Sequence, residues 1–229
     1  MLTMSKIATR TLLENDAVNA GSLSMILCGL RCNKFNFSKS KMMLSCSHKI
    51  VEQCRDQLDA QVVGDALYGM QGMSSDNEDL RSLLRALTSK VQECREQRSA
   101  QGTGNALNGL QGMSSDHKDV LSLLRALTPT KMQGYGMPLN WRYGTPLSAM
   151  DVENALFGLR SMKSDNAEVL SVLRALTPQV QGCREQLRAW AVGIALYGLQ
   201  GVRSDHDEAL SLLRALTPQV QGCREQFTA

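Results

Sequence analysis

This chain repeats itself, and the repeat limits what it can fold into more than any other feature. Ala66-Leu67-Tyr68-Gly69-Met70-Gln71-Gly72-Met73-Ser74-Ser75-Asp76 returns 40 residues later as Ala106-Leu107-Asn108-Gly109-Leu110-Gln111-Gly112-Met113-Ser114-Ser115-Asp116. Ala155-Leu156-Phe157-Gly158-Leu159 follows 49 residues on, and Ala195-Leu196-Tyr197-Gly198-Leu199 another 40. A second phrase keeps step: Leu84-Arg85-Ala86-Leu87-Thr88 matches Leu124 to Thr128, Leu173 to Thr177 and Leu213 to Thr217. A degenerate copy comes first, with Leu27-Cys28-Gly29-Leu30 lying 40 before Leu67 to Met70. Periods of roughly 20 to 50 residues belong to stacked arrays, in which each copy buries its apolar face against its neighbours.

The expected fold is therefore all-α, an α-solenoid of about five 40-residue helical-hairpin repeats. The chain divides into an N-terminal extension (1–17), a degenerate first repeat (18–57), repeats 2 (58–97) and 3 (98–129), an insertion (130–147), and repeats 4 (148–186) and 5 (187–229). The insertion adds nine residues and holds Tyr135, Trp141 and Tyr143 with Pro138 and Pro146. It reads either as a functional loop or as a drifted connector.

Within a repeat, Asp59, Ser99 and Ser148 are suitable N-caps for a first helix. Val63, Ala66, Leu67, Met70 and Met73 give that helix its apolar stripe. A Ser-Ser-Asp turn follows. Asp76 and Asp79, Asp116 and Asp119, Asp165 and Glu168, Asp205 and Glu208 stand at i, i+3, which predicts a capping box opening the second helix at the first Asp of each pair. Leu80, Leu83, Leu84 and Leu87 form the buried stripe of that helix. Pro129, Pro178 and Pro218 predict a kink there, or a short third helix capped by the preceding Thr. Glycines inside the first helix (Gly64, Gly69, Gly72 and their equivalents) each cost about 1 kcal/mol relative to Ala. Close helix–helix approach in a stack would offset that.

Composition narrows the function. Charge is nearly balanced, 25 Lys+Arg against 22 Asp+Glu for a formal net of +3, and 43% of residues are hydrophobic, which argues against intrinsic disorder. No apolar run is long enough to span a bilayer. Cys54, Cys94, Cys183 and Cys223 share one repeat position and so stand a repeat apart, too far for one metal or a normal disulfide. They read as small buried residues. Cys28, Cys32 and Cys46 with His48 form the one candidate metal cluster, which is the weaker reading. Seven Cys without pairing suggest a reducing, intracellular compartment. His117 and His206 follow the turns as part of their structure. Lacking a phosphate loop, a zinc motif or paired catalytic carboxylates, the chain reads as a non-enzyme with no cofactor. Lys6 and Arg10, with Ser and Thr, faintly resemble a mitochondrial transit peptide, opposed by Glu14 and Asp16.

Asn105-Ala106-Leu107-Asn108-Gly109-Leu110 and Asn154-Ala155-Leu156-Phe157-Gly158-Leu159, with their Leu-rich second helices, resemble the octotricopeptide and related RAP-associated helical repeats. The resemblance covers about residues 18 to 226. It implies an α-solenoid that binds single-stranded RNA in mitochondria or chloroplasts. The wider likeness is to HEAT and armadillo repeats, which mostly bind proteins and would place the chain in the cytoplasm.

The copies differ most along one face of the first helix: Gln61, Asp65, Tyr68; Gln101, Asn105, Asn108; Met150, Asn154, Phe157; Trp190, Ile194, Tyr197. Modular RNA readers use amides and aromatics in such places. Asp65, Tyr68, Asn105, Asn108, Asn154, Phe157 and Tyr197 are the expected base contacts. Arg85, Arg125, Arg174 and Arg214, one per repeat, are the expected phosphate contacts; the alternative for them is a solvated face with local ion pairs. A protein partner would instead use Met150, Trp190 and Ile194 as apolar anchors. The last repeat has no polar cap, which predicts self-association through the ends.

Overall fold

The computed structural model describes residues 19–31, 37–94, 100–128 and 147–223. The readings made on 1–17, Cys32, Ser99, Pro129 and 130–146 lie outside these residues. Ten helices occur among the described residues, and no strand: α1 (Ala20–Arg31), α2 (Phe37–Gln53), α3 (Ala60–Tyr68), α4 (Glu78–Glu93), α5 (Ala100–Asn108), α6 (Lys118–Leu127), α7 (Ala149–Gly158), α8 (Ala167–Gly182), α9 (Ala189–Gly198) and α10 (Asp207–Gly222). The fold is all-α. The odd-numbered helices pack in succession, α1 on α3, α3 on α5, α5 on α7 and α7 on α9. The even-numbered ones do the same, α2 on α4 through to α8 on α10. The two rows enclose one apolar core.

Capping chemistry starts α3 and α7, whereas α9 follows Arg188 with no side-chain cap bond. The Asp59 carboxylate accepts from the Val62 amide at 2.7 Å. Ser148 and Asp151 form a reciprocal capping box. These helices are short because a run of i→i+3 bonds, such as Met70 N to Leu67 O and Gln71 N to Tyr68 O, tightens the chain into the turn. Gly72 takes a positive φ of 77° there, which a side chain would oppose.

The second helices begin one residue later than the i, i+3 pattern predicts. Their N-caps are Asn77, His117, Asn166 and His206, not the preceding Asp. Asn77 accepts from the Asp79 and Leu80 amides, whereas the other three make no side-chain cap bond. In the first two full copies the turn Asp is held elsewhere: Ser74 and Ser114 bond Asp76 and Asp116 two residues on, closing a local turn that competes with capping.

Proline does not break these helices. α8 runs through Pro178 and α10 through Pro218, each for 16 residues, the length of the proline-free α4. Among the described residues no separate third helix begins at Pro178 or Pro218. The Thr177 hydroxyl donates to the Leu173 carbonyl and Thr217 to Leu213, so each Thr turns back onto its own helix. Burial of Leu176, Val180 and Leu216 holds the turns on either side of the proline.

Leu80, Leu83, Leu84 and Leu87 of α4, Val120, Leu123 and Leu124 of α6, and Val169, Leu173 and Leu176 of α8 are almost wholly buried and belong to a single cluster. At about 25 cal/mol per Å² of apolar surface, this cluster is the main source of stability, and each repeat supplies only part of it.

The glycines fix how closely the first helices approach. A Cβ at Gly69 would stand 2.1 Å from the Leu27 carbonyl oxygen, at Gly109 2.1 Å from that of Leu67, at Gly158 2.0 Å from that of Leu107, and at Gly198 2.0 Å from that of Leu156. The same backbone-to-backbone contact recurs at four junctions, which accounts for glycines that helix propensity alone disfavours.

Candidate binding surface

Besides the core, three of the four junctions carry a polar staple at the turns. Ser75, Ser115 and Ser164 are buried, and their hydroxyls accept from the backbone amides of Ser114, Lys163 and Arg203 in the following turn, at 2.8, 2.9 and 2.9 Å. Sequence reasoning treated the Ser-Ser-Asp turn as purely local and missed this bond. A signal was present: the first Ser of the turn becomes Lys163 and Arg203 in later copies, while the second stays Ser in all four. The turn carboxylates also reach across. Asp76 meets His117 Nε2 at 3.2 Å, Asp116 meets Lys163 Nζ at 2.7 Å, and Asp165 lies 3.8 Å from Arg203. Hydrogen bonding from His117 lowers the Asp76 pKa, and Lys163 lowers that of Asp116.

The four arginines expected on phosphates sit on the second row. Three of them are engaged across a junction. Arg85 reaches Asp119 at 2.9 Å, and Glu78 of its own helix at the same distance. Arg125 pairs with Glu168, and Arg174 with Glu208. The acids of these pairs are the residues that the capping-box reading placed at the helix starts. Hydrogen bonding from Arg125 holds the Glu168 carboxyl below its ordinary range. For Glu208 the larger cause is its own backbone amide, with Arg174 second. Arg214, in the last repeat, is exposed and has no ion pair among the described residues.

The expected base contacts lie along the first row, at different depths. Asn108 is a correction. It is buried, its carbonyl accepting from Gln71 Nε2 at 3.2 Å and its amide donating to Asn154 at 2.8 Å. The chain Gln71–Asn108–Asn154 crosses three repeats, because the following repeat covers what single-helix periodicity leaves outside. Asp65 is half-buried, and its carboxylate accepts from Gln61 Nε2 at 3.1 and 3.0 Å. Tyr68, Asn105, Asn154 and Phe157 are half-buried and Tyr197 is exposed. The Phe157 and Tyr197 rings lie 6.2 Å apart at a tilt of 33°, with the Arg160 guanidinium 5.2 Å over Phe157.

The outermost line of this row is Gln61, Gln101, Met150 and Trp190, all exposed. Met150 is 69% exposed and Trp190 71%, the indole NH donating to Glu153 at 3.3 Å. Met25, on α1, is also exposed. The helices α3, α5, α7 and α9 contain no lysine or arginine, while Asp65 and Glu153 lie on α3 and α7. The outer stripe is thus polar at α3 and α5 and apolar at α7 and α9, and the charged residues within these four helices are carboxylates.

The six cysteines among the described residues are thiols: Cys54 and Cys183 are buried, and Cys28, Cys46, Cys94 and Cys223 partly so. Burial pushes the Cys183 pKa up. Cys28 Sγ donates to the Asp65 carbonyl at 3.4 Å, and His48 lies 3.4 Å from Glu52. Among the described residues no three His, Cys, Asp or Glu side chains converge as metal ligands, and no helix is long and apolar enough to cross a membrane. No protein-family profile, curated protein or solved structure matches this chain.

Proposed function

We propose that this chain is an α-solenoid of five helical-hairpin repeats that acts as a non-catalytic binding protein, and that its ligand is another protein. The observation that carries this reading is the exposure of Trp190 and Met150 on a row of helices that contains no lysine or arginine from α3 to α9. Large apolar side chains in solvent are the residues that anchor protein partners. Tracking a nucleic-acid backbone calls for unneutralised cations, and three of the four ladder arginines already hold carboxylates. The partner suited to this surface offers apolar side chains to Met150 and Trp190, and Lys or Arg to Asp65 and Glu153.

Single-stranded RNA, the ligand implied by the octotricopeptide resemblance, is the second reading. What favours it is the ring pair Phe157–Tyr197, a platform of the kind on which bases stack.

A photo-crosslinking amino acid at position 150 of the full chain separates the two in cells. The expected result is protein adducts, more abundant than those from position 122 on the second row, and their loss in M150A/W190A with the far-UV circular dichroism unchanged. RNA adducts at position 150 would transfer the assignment to the second reading. Equal labelling at 150 and 122 would remove the site.

A further inference from the structure

The fourth repeat departs from the other full copies at two charged positions of its first helix and the turn beyond it. Glu153 stands where the others have Gly64, Gly104 and Gly193, and Arg160 where they have Gln71, Gln111 and Gln200. Met150, Glu153, Phe157 and Arg160 follow at intervals of three, four and three residues, which keeps them on one face of the coil. The Arg160 amide donates to the Phe157 carbonyl at 3.2 Å, so the arginine sits one tight turn beyond the end of α7. α5 and α9 pack on either side of α7, and the face between them carries Met150 in solvent and the other three half-buried. The Arg160 guanidinium is held twice: Nε donates to the Gln111 carbonyl at 2.5 Å, and the group lies 5.2 Å from the centre of the Phe157 ring. Its two terminal nitrogens have no hydrogen-bond or ion-pair partner among the described residues. Glu153 accepts from the Trp190 indole and is in no ion pair among the described residues. The two charges stand about 10 Å apart along the coil, too far to neutralise each other.

We infer that this face binds a helix of the partner protein whose contact side carries a lysine or arginine and, two turns away, an aspartate or glutamate, with an apolar side chain between them. This rests on the reading that the ligand is a protein, and adds the rule by which that protein is chosen. The base meets Glu153, the acid meets Arg160, and the apolar group lies on Phe157, with a second apolar group on Met150 and Trp190. A guanidinium already oriented presents both terminal nitrogens to one carboxylate, a bidentate pairing that loses little side-chain freedom on binding. A helix suits the site because its own i, i+3, i+7 spacing reproduces that of the α7 face. A uniformly basic segment is repelled by Arg160 and a uniformly acidic one by Glu153, so the two charges select for order as well as for sign. A nucleic-acid backbone would bring phosphate to Glu153 as well as to Arg160.

The test selects phage-displayed helical peptides, randomised on one face, against the full chain, and measures the enriched peptides by fluorescence anisotropy. The expected result is enrichment of a base and an acid two turns apart around an apolar residue. Their affinity should be about tenfold weaker for Arg160→Gln. That variant installs the residue of the other full copies, so its far-UV circular dichroism should be unchanged. The double reversal Glu153→Lys/Arg160→Glu should lose these peptides and bind their charge-swapped forms. A selection that yields no binder, enriched peptides without the paired charges, or affinities that Arg160→Gln leaves within about twofold would each overturn the inference. Its failure is separable from that of the protein reading. RNA adducts at position 150 would remove the protein reading, whereas protein adducts there with peptides indifferent to Arg160→Gln would remove the charge rule alone.

Discussion

Where α5 meets α7, Gly158 lies so close to the Leu107 carbonyl that a methyl group has no room. Where α6 meets α8, buried leucines and valines fill the space between the helices, and Arg125 reaches Glu168 at the rim. The same two repeats are joined in both places. At its glycines the first row is positioned by backbone against backbone, where no side chain can adjust. The second row is positioned by side-chain volume and by long charged groups that can re-aim. Substitution should therefore be severe in the first row and mild at the charged rim of the second.

The largest effect is expected for Gly158→Ala. Its Cβ meets a carbonyl oxygen at 2.0 Å, so the helices must separate, at roughly 3 kcal/mol or more. Urea denaturation should show the lowered midpoint. Ser115→Ala comes next. It strands the Lys163 amide and should cost about 1–3 kcal/mol, while Ser204→Ala, at the exposed end, should leave the midpoint unchanged. Gly193→Ala reverses the sign: the site opens on empty space within a helix, and a gain of about 1 kcal/mol is expected in thermal melts. If Gly193→Ala destabilises as Gly158→Ala does, the loss reflects helix chemistry and the contrast between the rows fails.

Arg125→Gln should be the mildest, within about 1 kcal/mol, because the arginine is largely exposed. Its signature lies in pH. The carboxyl of Glu168 has a folded pKa below its unfolded value, so its contribution is present above the ordinary Glu range and is lost as pH falls through the folded pKa. Asp76 and Asp116 follow the same sign. Melting temperature should therefore drop below about pH 4–5 in the parent chain, and less steeply in Arg125→Gln.

The repeat, the two helices of each hairpin and their leucine stripes were legible because each is written within one repeat as a period of 3.6. The glycine row was legible as a tension, a poor helix former recurring in the phrase read as the first helix; the structure places Gly69 and Gly109 just past α3 and α5, and Gly158 and Gly198 at the last position of α7 and α9, where the close approach occurs. What stayed hidden lies between repeats. Asp119, Glu168 and Glu208 have the spacing of caps, and their arginine partners stand 34 to 43 residues away in the preceding repeat. Asn108 sits on the outward edge of its own helix, and the next repeat covers it. In the outer stripe, sequence ranked the amides above Met150 and Trp190. The proposed reading reverses that order because α3, α5, α7 and α9 carry no lysine or arginine.

The α6–α7 connection carries a further consequence. Copies there are spaced by 49 residues instead of 40, and α6 has 10 residues where α4, α8 and α10 have 16. Yet Gly158 meets its carbonyl at the same 2.0 Å as Gly198. Connectivity and geometry are separable at this point. The glycine contact that joins the flanking first helices is therefore set by the helices themselves and not by the number of residues that link them.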